Sequence, residues 1–171
     1  LRPLRRADEV RWTTTRELDW EWLAPWEATK PPGSHERVGG YLAMVSRNRK
    51  RAKEGSSLPW AIGWDDGWPD HRATNRATTP LIGQLTVSSI SLGSAMSCSM
   101  GYWVASAHAG KGVAPTAVAL ACDYVFQVMG LHRVEICVRP ENVKSLRVVE
   151  KLGMTEEGMR PAYLHIDGEW R

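Results

Sequence analysis

Residues 107–115 read AHAGKGVAP, with Gly110 and Gly112 flanking Lys111 between a strand-like run and a helix-like run. Glycine accepts positive φ and keeps Cβ atoms away from a close approach. The loop leads straight into a helix, so several backbone N–H groups face outward with no intrahelical partner. The helix dipole adds positive potential there, and the combination suits a phosphate. Lys111 and His108 can add charge or donors, and Pro115 fits a first helical turn, where no N–H is required. Two familiar phosphate loops are excluded. A Walker loop needs glycine where Ala105 stands and Ser or Thr where Gly112 stands; a dinucleotide fingerprint needs a third glycine where Pro115 stands.

Downstream of the loop, Ala114, Val118, Ala121, Val125 and Met129 recur every three or four positions. That spacing predicts a helix to Met129, closed by Gly130, with one face on a sheet. "HRVEICV" predicts a strand, "RPEN" a turn, and Asn142 the cap of a helix over "VKSLRVVEKL" that Gly153 ends. "MTEEGMRPAYLHI" reads as extended, followed by a two-residue hairpin turn at Asp167-Gly168. Upstream, "LPWAIGWD", "LIGQLTVSSIS" and "MSCSMGYWVAS" read as strands, the last two joined by a turn at Leu92-Gly93-Ser94. "LRPLR" predicts a short first strand, "ADEVRWTTTRELDWEWLAP" a broken helix, and Ser34 the cap of a helix reaching about Lys53. Strands joined by loops should be antiparallel, and strands joined through helices parallel. The expected architecture is therefore α/β (α+β), one domain over residues 1–171, with a mixed central sheet and helices on both faces.

Composition narrows the function. No apolar run approaches the length of about 20 residues that spans a bilayer, and the start, "LRPLRRADEV", lacks a signal peptide's apolar core. The cytoplasm is the expected location, without a membrane partner. Cys98, Cys122 and Cys137 show no metal-ligand spacing, and an odd count suits reduced thiols, so no metal site is expected. The net charge of +3 is too mild to imply direct nucleic-acid binding. The basic run Arg47 to Lys53 reads as the solvated end of a helix, whose C-terminus favours cations. Trp12, Trp20, Trp22 and Trp26 cluster in one segment and can wall a groove. Asp65, Asp66 and Asp70 read as an ordinary solvated loop.

Residues 101–154, "GYWVASAHAGKGVAPTAVALACDYVFQVMGLHRVEICVRPENVKSLRVVEKLGM", resemble the acetyl-coenzyme A (acetyl-CoA) binding half of the GNAT N-acetyltransferases, nearest the RimJ/RimL type. That type acetylates the N-terminal amine of ribosomal proteins. The resemblance implies the GNAT fold, a parallel pair of strands that splay apart, and acetyl-CoA as acetyl donor. It implies that the backbone near Trp103 and Val104 binds the pantetheine arm. The amides of Gly110, Lys111, Gly112, Val113 and Ala114 would then hold the diphosphate, His108 and Ala109 would belong to the same cofactor-binding loop, and Asn142 and Ser145 would lie near the thioester. The acceptor it implies is a protein or peptide N-terminus, a ribosomal protein among the candidates, for a monomer or homodimer. A small amine (an antibiotic or polyamine) and an inactive CoA-binding regulator are the alternatives.

Acetyl transfer needs a proton removed from the amine and one given to the leaving thiolate. Glu135 is the most visible acid for the first task, although its neighbours also suit an ion pair with Arg133 or Arg139. Ser145 and Tyr163 are the candidates for the second. His165 alternates with Leu164 and Ile166 and reads as a surface residue.

Overall fold

The computed structural model describes residues 1–34, 39–64 and 79–171, so the acidic positions Asp65, Asp66 and Asp70 lie outside the described residues. Its central sheet runs in the order β1 (Arg2–Pro3), β2 (Leu58–Gly63), β3 (Leu81–Ser91), β4 (Ser97–Val104), β5 (Arg133–Glu135). The first four strands are antiparallel, and β5 is parallel to β4. The turn between β3 and β4 gives an antiparallel pair and the helical crossover between β4 and β5 a parallel one, as expected from those connections. β1 and β2, by contrast, pair antiparallel although helices lie between them in the chain.

Helices lie on both faces. Among the described residues five are α-helical: α1 (Glu9–Leu18), α2 (Trp20–Leu23), α3 (Tyr41–Lys53), α4 (Val113–Asp123) and α5 (Val143–Lys151). Strand alternation divides the core between the two faces. Ile62 joins Leu85, Val87 and Met100 against Val118, Ala121 and Val125 of the α4 segment. Its neighbour Ala61 turns the other way and packs with Leu4, Leu81, Tyr41 and Val45 of α3. The α4 segment continues as a π-helical turn, Tyr124–Val128, and Gly130 stops it at φ +66°. Burial pushes the Cys98 thiol up to about 11, which keeps it un-ionised near neutrality.

Five local expectations are corrected. The first strand is reduced to Arg2–Pro3. Helix α3 starts at Tyr41 after an extended Gly40, too far along the chain for Ser34 to cap it. β5 keeps only Arg133–Glu135 because its pairing with β4 ends at Ser99↔Glu135, where the two strands part. Of residues 154–166, only His165–Ile166 forms a strand, β6, paired with β7 (Glu169–Trp170) through Asp167 and Gly168 at φ +50° and +81°. Both turn residues being left-handed is the two-residue hairpin geometry. His165 is not a surface residue: it is buried, and its Nδ1 lies 2.8 Å from Thr29 Oγ1. Gly168 N–H also donates to Thr29 Oγ1, at 2.9 Å, which ties this hairpin to the segment after α2.

Candidate active site

The parting of β4 from β5 makes the site. Beyond Ser99, β4 continues to Val104 with β3 on one edge and, among the described residues, no strand on the other. A cavity of about 940 Å³ opens along that edge. It reaches the glycine loop, α5 from its cap to Lys151, and the segment around α2. This volume is near the top of the usual range for small-molecule sites, about 300–1,000 Å³.

Gly110 and Gly112 adopt φ +75° and +77°, and Gly112 is the residue before α4. A Cβ built on either would meet no heavy atom of the described residues within 4 Å. Glycine is therefore required by the backbone conformation rather than by crowding from the protein. No described heavy atom crowds the loop, and Gly110, Gly112, Val113, Ala114 and Pro115 line the cavity at the start of α4, whose first amides have no intrahelical partner.

The structure brings most of the sequence-derived residues together. Trp103, Val104, His108, Ala109, Gly110, Gly112, Val113, Ala114, Asn142 and Ser145 all line the cavity; Lys111 does not. Asn142 Oδ1 accepts a hydrogen bond from Ser145 N–H at 3.0 Å, so it caps α5 and leaves its amide NH2 for another partner. His108 packs against Trp64, with centroids 5.6 Å apart. Burial, then the charges of Lys111 and Arg11, lower its pKa, so it supplies a neutral ring and not the positive charge that its place in the loop suggests.

Two catalytic candidates are placed elsewhere. Glu135 accepts hydrogen bonds from Arg133 at 2.9 Å and Arg160 at 2.9 Å and does not line the cavity. Those bonds hold its carboxyl below the ordinary range. Tyr163 is exposed beneath the Arg160 guanidinium and also lies outside the lining.

Other lining residues were not anticipated. Trp22 Nε1–H donates to the Val104 carbonyl at 3.0 Å, and Lys144 Nζ lies 3.9 Å from the centroid of the Trp22 ring. Arg139 donates to the Pro25 carbonyl at 2.8 Å, while Asp19 accepts from Ser106 N–H and Oγ at 2.7 and 2.6 Å. The α1–α2 segment is thereby fastened across the open strand edge. Gln84, Thr86 and Ser88 also line the cavity. Their alternation with Leu85 and Val87 was the available signal for one polar sheet face. The Tyr102 hydroxyl and His108 Nδ1 are buried with no hydrogen bond of ordinary geometry among the described residues. Burial raises the Tyr102 pKa, and Ser145 partly offsets it. Buried polar atoms without partners at a cavity wall suit a polar ligand that completes them.

The model of the acetyltransferase (GNAT) domain matches residues 1–155, and the chain belongs to that family. Mycobacterium smegmatis RimJ, solved in complex with CoA-disulfide, superposes with a TM-score of 0.85 at 35% identity, covering 99% of this chain and 76% of that one. The [ribosomal protein uS5]-alanine N-acetyltransferase of Escherichia coli is 29% identical over 149 residues, 87% of this chain and 71% of that protein. YjcK of Bacillus subtilis, named a probable N-acetyltransferase, is 40% identical over 90 residues, 53% of this chain and only 50% of the relative's own length. The spermidine N(1)-acetyltransferase of Vibrio cholerae is 35% identical over 68 residues, 40% of this chain. GNAT acetyltransferases use acetyl-CoA, and the glycine cradle, the open strand edge and the unpartnered polar atoms fit that group.

Proposed function

We propose that this chain transfers an acetyl group from acetyl-CoA to a primary amine, with a protein N-terminal α-amine, such as that of a ribosomal protein, as the preferred acceptor. The observation that supports it most is a single cavity joining the open amides at Gly110–Gly112 to the free edge of β4 and onward to the α2 segment. When bound, acetyl-CoA supplies the acetyl group as an activated thioester. The amides of Gly110 to Ala114 bind the diphosphate, and the free edge of β4 pairs with the extended pantetheine arm as an added strand would. The Val104 carbonyl is already engaged by Trp22, so its amide is the group left to polarise an acyl oxygen. The Ser145 hydroxyl and the un-ionised Tyr102 phenol hold protons at that end of the cavity.

Acceptor chemistry supports the α-amine. With a pKa of about 8, roughly one α-amine in ten is neutral at pH 7, against fewer than about one in a thousand for a lysine-like amine near 10.4. An α-amine therefore needs no strong base. Among the described residues lining the cavity, Glu27 is the one carboxylate, beside the cations Lys144, Arg147 and Lys151. A polyamine with several positive charges would find few partners there. The test is an acceptor screen by mass spectrometry with peptides bearing free N-termini, polyamines and aminoglycosides. A mass gain of one acetyl group on peptide α-amines is expected. Acetylation of polyamines alone would refute the acceptor assignment, and tight CoA binding without any transfer would favour a regulator.

A further inference from the structure

We propose that Glu27 is the group that receives the acceptor's ammonium, and that Arg16 is the positioning residue that holds the Glu27 carboxylate; this rests on the acetyl-transfer reading. The charges lining the cavity are divided. Lys144, Arg147 and Lys151 all lie on α5, whereas Glu27 lies on the α2 segment beside Trp22 and Trp26. A cationic amine is repelled by the first wall and attracted to the second.

Glu27 is presented from a fixed backbone. Its N–H donates to the Ala24 carbonyl at 3.1 Å, and its carbonyl accepts from Asp167 N–H at 3.1 Å. Arg16 Nη2 approaches Glu27 Oε2 at 2.7 Å, and the carboxylate keeps 34% of its side-chain surface exposed. A carboxylate offers about four lone-pair sites, more than this contact uses. Arg16 is itself held between aromatic faces, its guanidinium carbon 4.7 Å from the Trp12 ring centroid and 5.5 Å from that of Trp103. Trp103 also lines the cavity. A chain of packed groups thus runs from α1 to the carboxylate and sets its direction, while Gln84, Thr86 and Ser88 provide polar groups for the rest of the acceptor peptide. One carboxylate already facing one guanidinium suits a singly charged amine.

The test uses steady-state kinetics with a short peptide bearing a free N-terminal alanine, together with calorimetric acetyl-CoA binding. Glu27→Gln removes the charge and keeps the shape. It should raise KM for the peptide about tenfold or more, as expected for a lost charge-assisted hydrogen bond. kcat should change far less, and the acetyl-CoA affinity should stay as in the unaltered chain. Glu27→Asp should recover part of the loss. Arg16→Met keeps an apolar stem between the tryptophans but releases the carboxylate, so it should raise KM by less than Glu27→Gln does with kcat little changed, and Arg16→Lys should recover part of that loss. An unchanged KM in Glu27→Gln would overturn the proposal, as would an unchanged KM in Arg16→Met; a fall in acetyl-CoA affinity alongside the rise in KM would mark a merely structural ion pair and overturn it too. Failure of the unaltered chain to acetylate any amine would sink the acetyl-transfer reading itself, and this proposal with it.

Discussion

Replacing Gly112 by aspartate separates two properties of the glycine loop. At φ +77° a side chain is strained, and the cost for a non-glycine residue in this region is about 1–2 kcal/mol. No described heavy atom lies within 4 Å of the new Cβ, so steric crowding by the protein adds nothing. The carboxylate does, however, face the gap assigned to the diphosphate. Two unit charges about 5 Å apart at an effective dielectric of about 20 repel by about 3 kcal/mol, roughly a hundredfold in affinity. Gly55 is a matched control: it too has positive φ, +69°, and open space at Cβ, but it lies just beyond α3 and does not line the cavity. Both variants should lose about 1–2 kcal/mol of stability by denaturant unfolding. By calorimetry only Gly112→Asp should lose CoA affinity, by about two orders of magnitude. Equal affinity in Gly112→Asp and the unaltered chain would refute the loop assignment, and equal losses in both variants would show that strain, not charge, is responsible.

Packing and charge elsewhere in the chain set three further outcomes. Leu85 is fully buried between the sheet and α4, so Leu85→Ala should destabilise the chain by about 2–5 kcal/mol in urea unfolding. Arg2 grips both Asp8 oxygens at 2.7 and 2.6 Å. Burial pushes the Asp8 carboxyl up, but hydrogen bonds from Arg2 and the Arg5 amide, with their charges, bring it below its ordinary value. A depressed folded-state pKa gives stability that is complete well above the unfolded value of about 3.9 and is lost as pH falls through the folded one. Thermal unfolding against pH should therefore steepen below about pH 4, and Asp8→Asn should flatten that limb. Glu135→Gln breaks two exposed ion pairs outside the cavity, so it should cost less than about 1 kcal/mol and leave turnover intact; a collapse of turnover would return Glu135 to the reaction.

Much of this molecule is legible in its sequence where a local backbone demand fixes the residue type. Gly110 and Gly112 mark left-handed positions, Asn142 marks a helix cap, and Asp167-Gly168 marks a tight hairpin. The apolar spacing from Ala114 to Met129 likewise gave the helix face that packs on the sheet, although not the π-helical turn at its end. What stayed hidden depends on distant partners. Nothing near Trp22 reveals that its indole reaches Val104, 82 positions away. The shortening of β5 reflects where a parallel neighbour departs, not any weakness in "HRVEICV" itself. His165 looked exposed because its burial depends on Thr29, on a different part of the chain. Glu135 stood out because it is a carboxylate in an apolar strand, yet Arg160, remote in sequence, claims it. Glu27 drew no notice because only the folded α2 segment turns it toward the cavity.

The central claim is that the gap between β4 and β5 is a thioester-binding cleft with its anion end at the glycine loop. A crystal structure with acetyl-CoA tests it most directly. The diphosphate should lie within hydrogen-bond distance of the amides between Gly110 and Ala114, with the extended arm beside Met100 to Val104. A nucleotide bound elsewhere, or β5 paired along β4 past Ser99, would contradict the account.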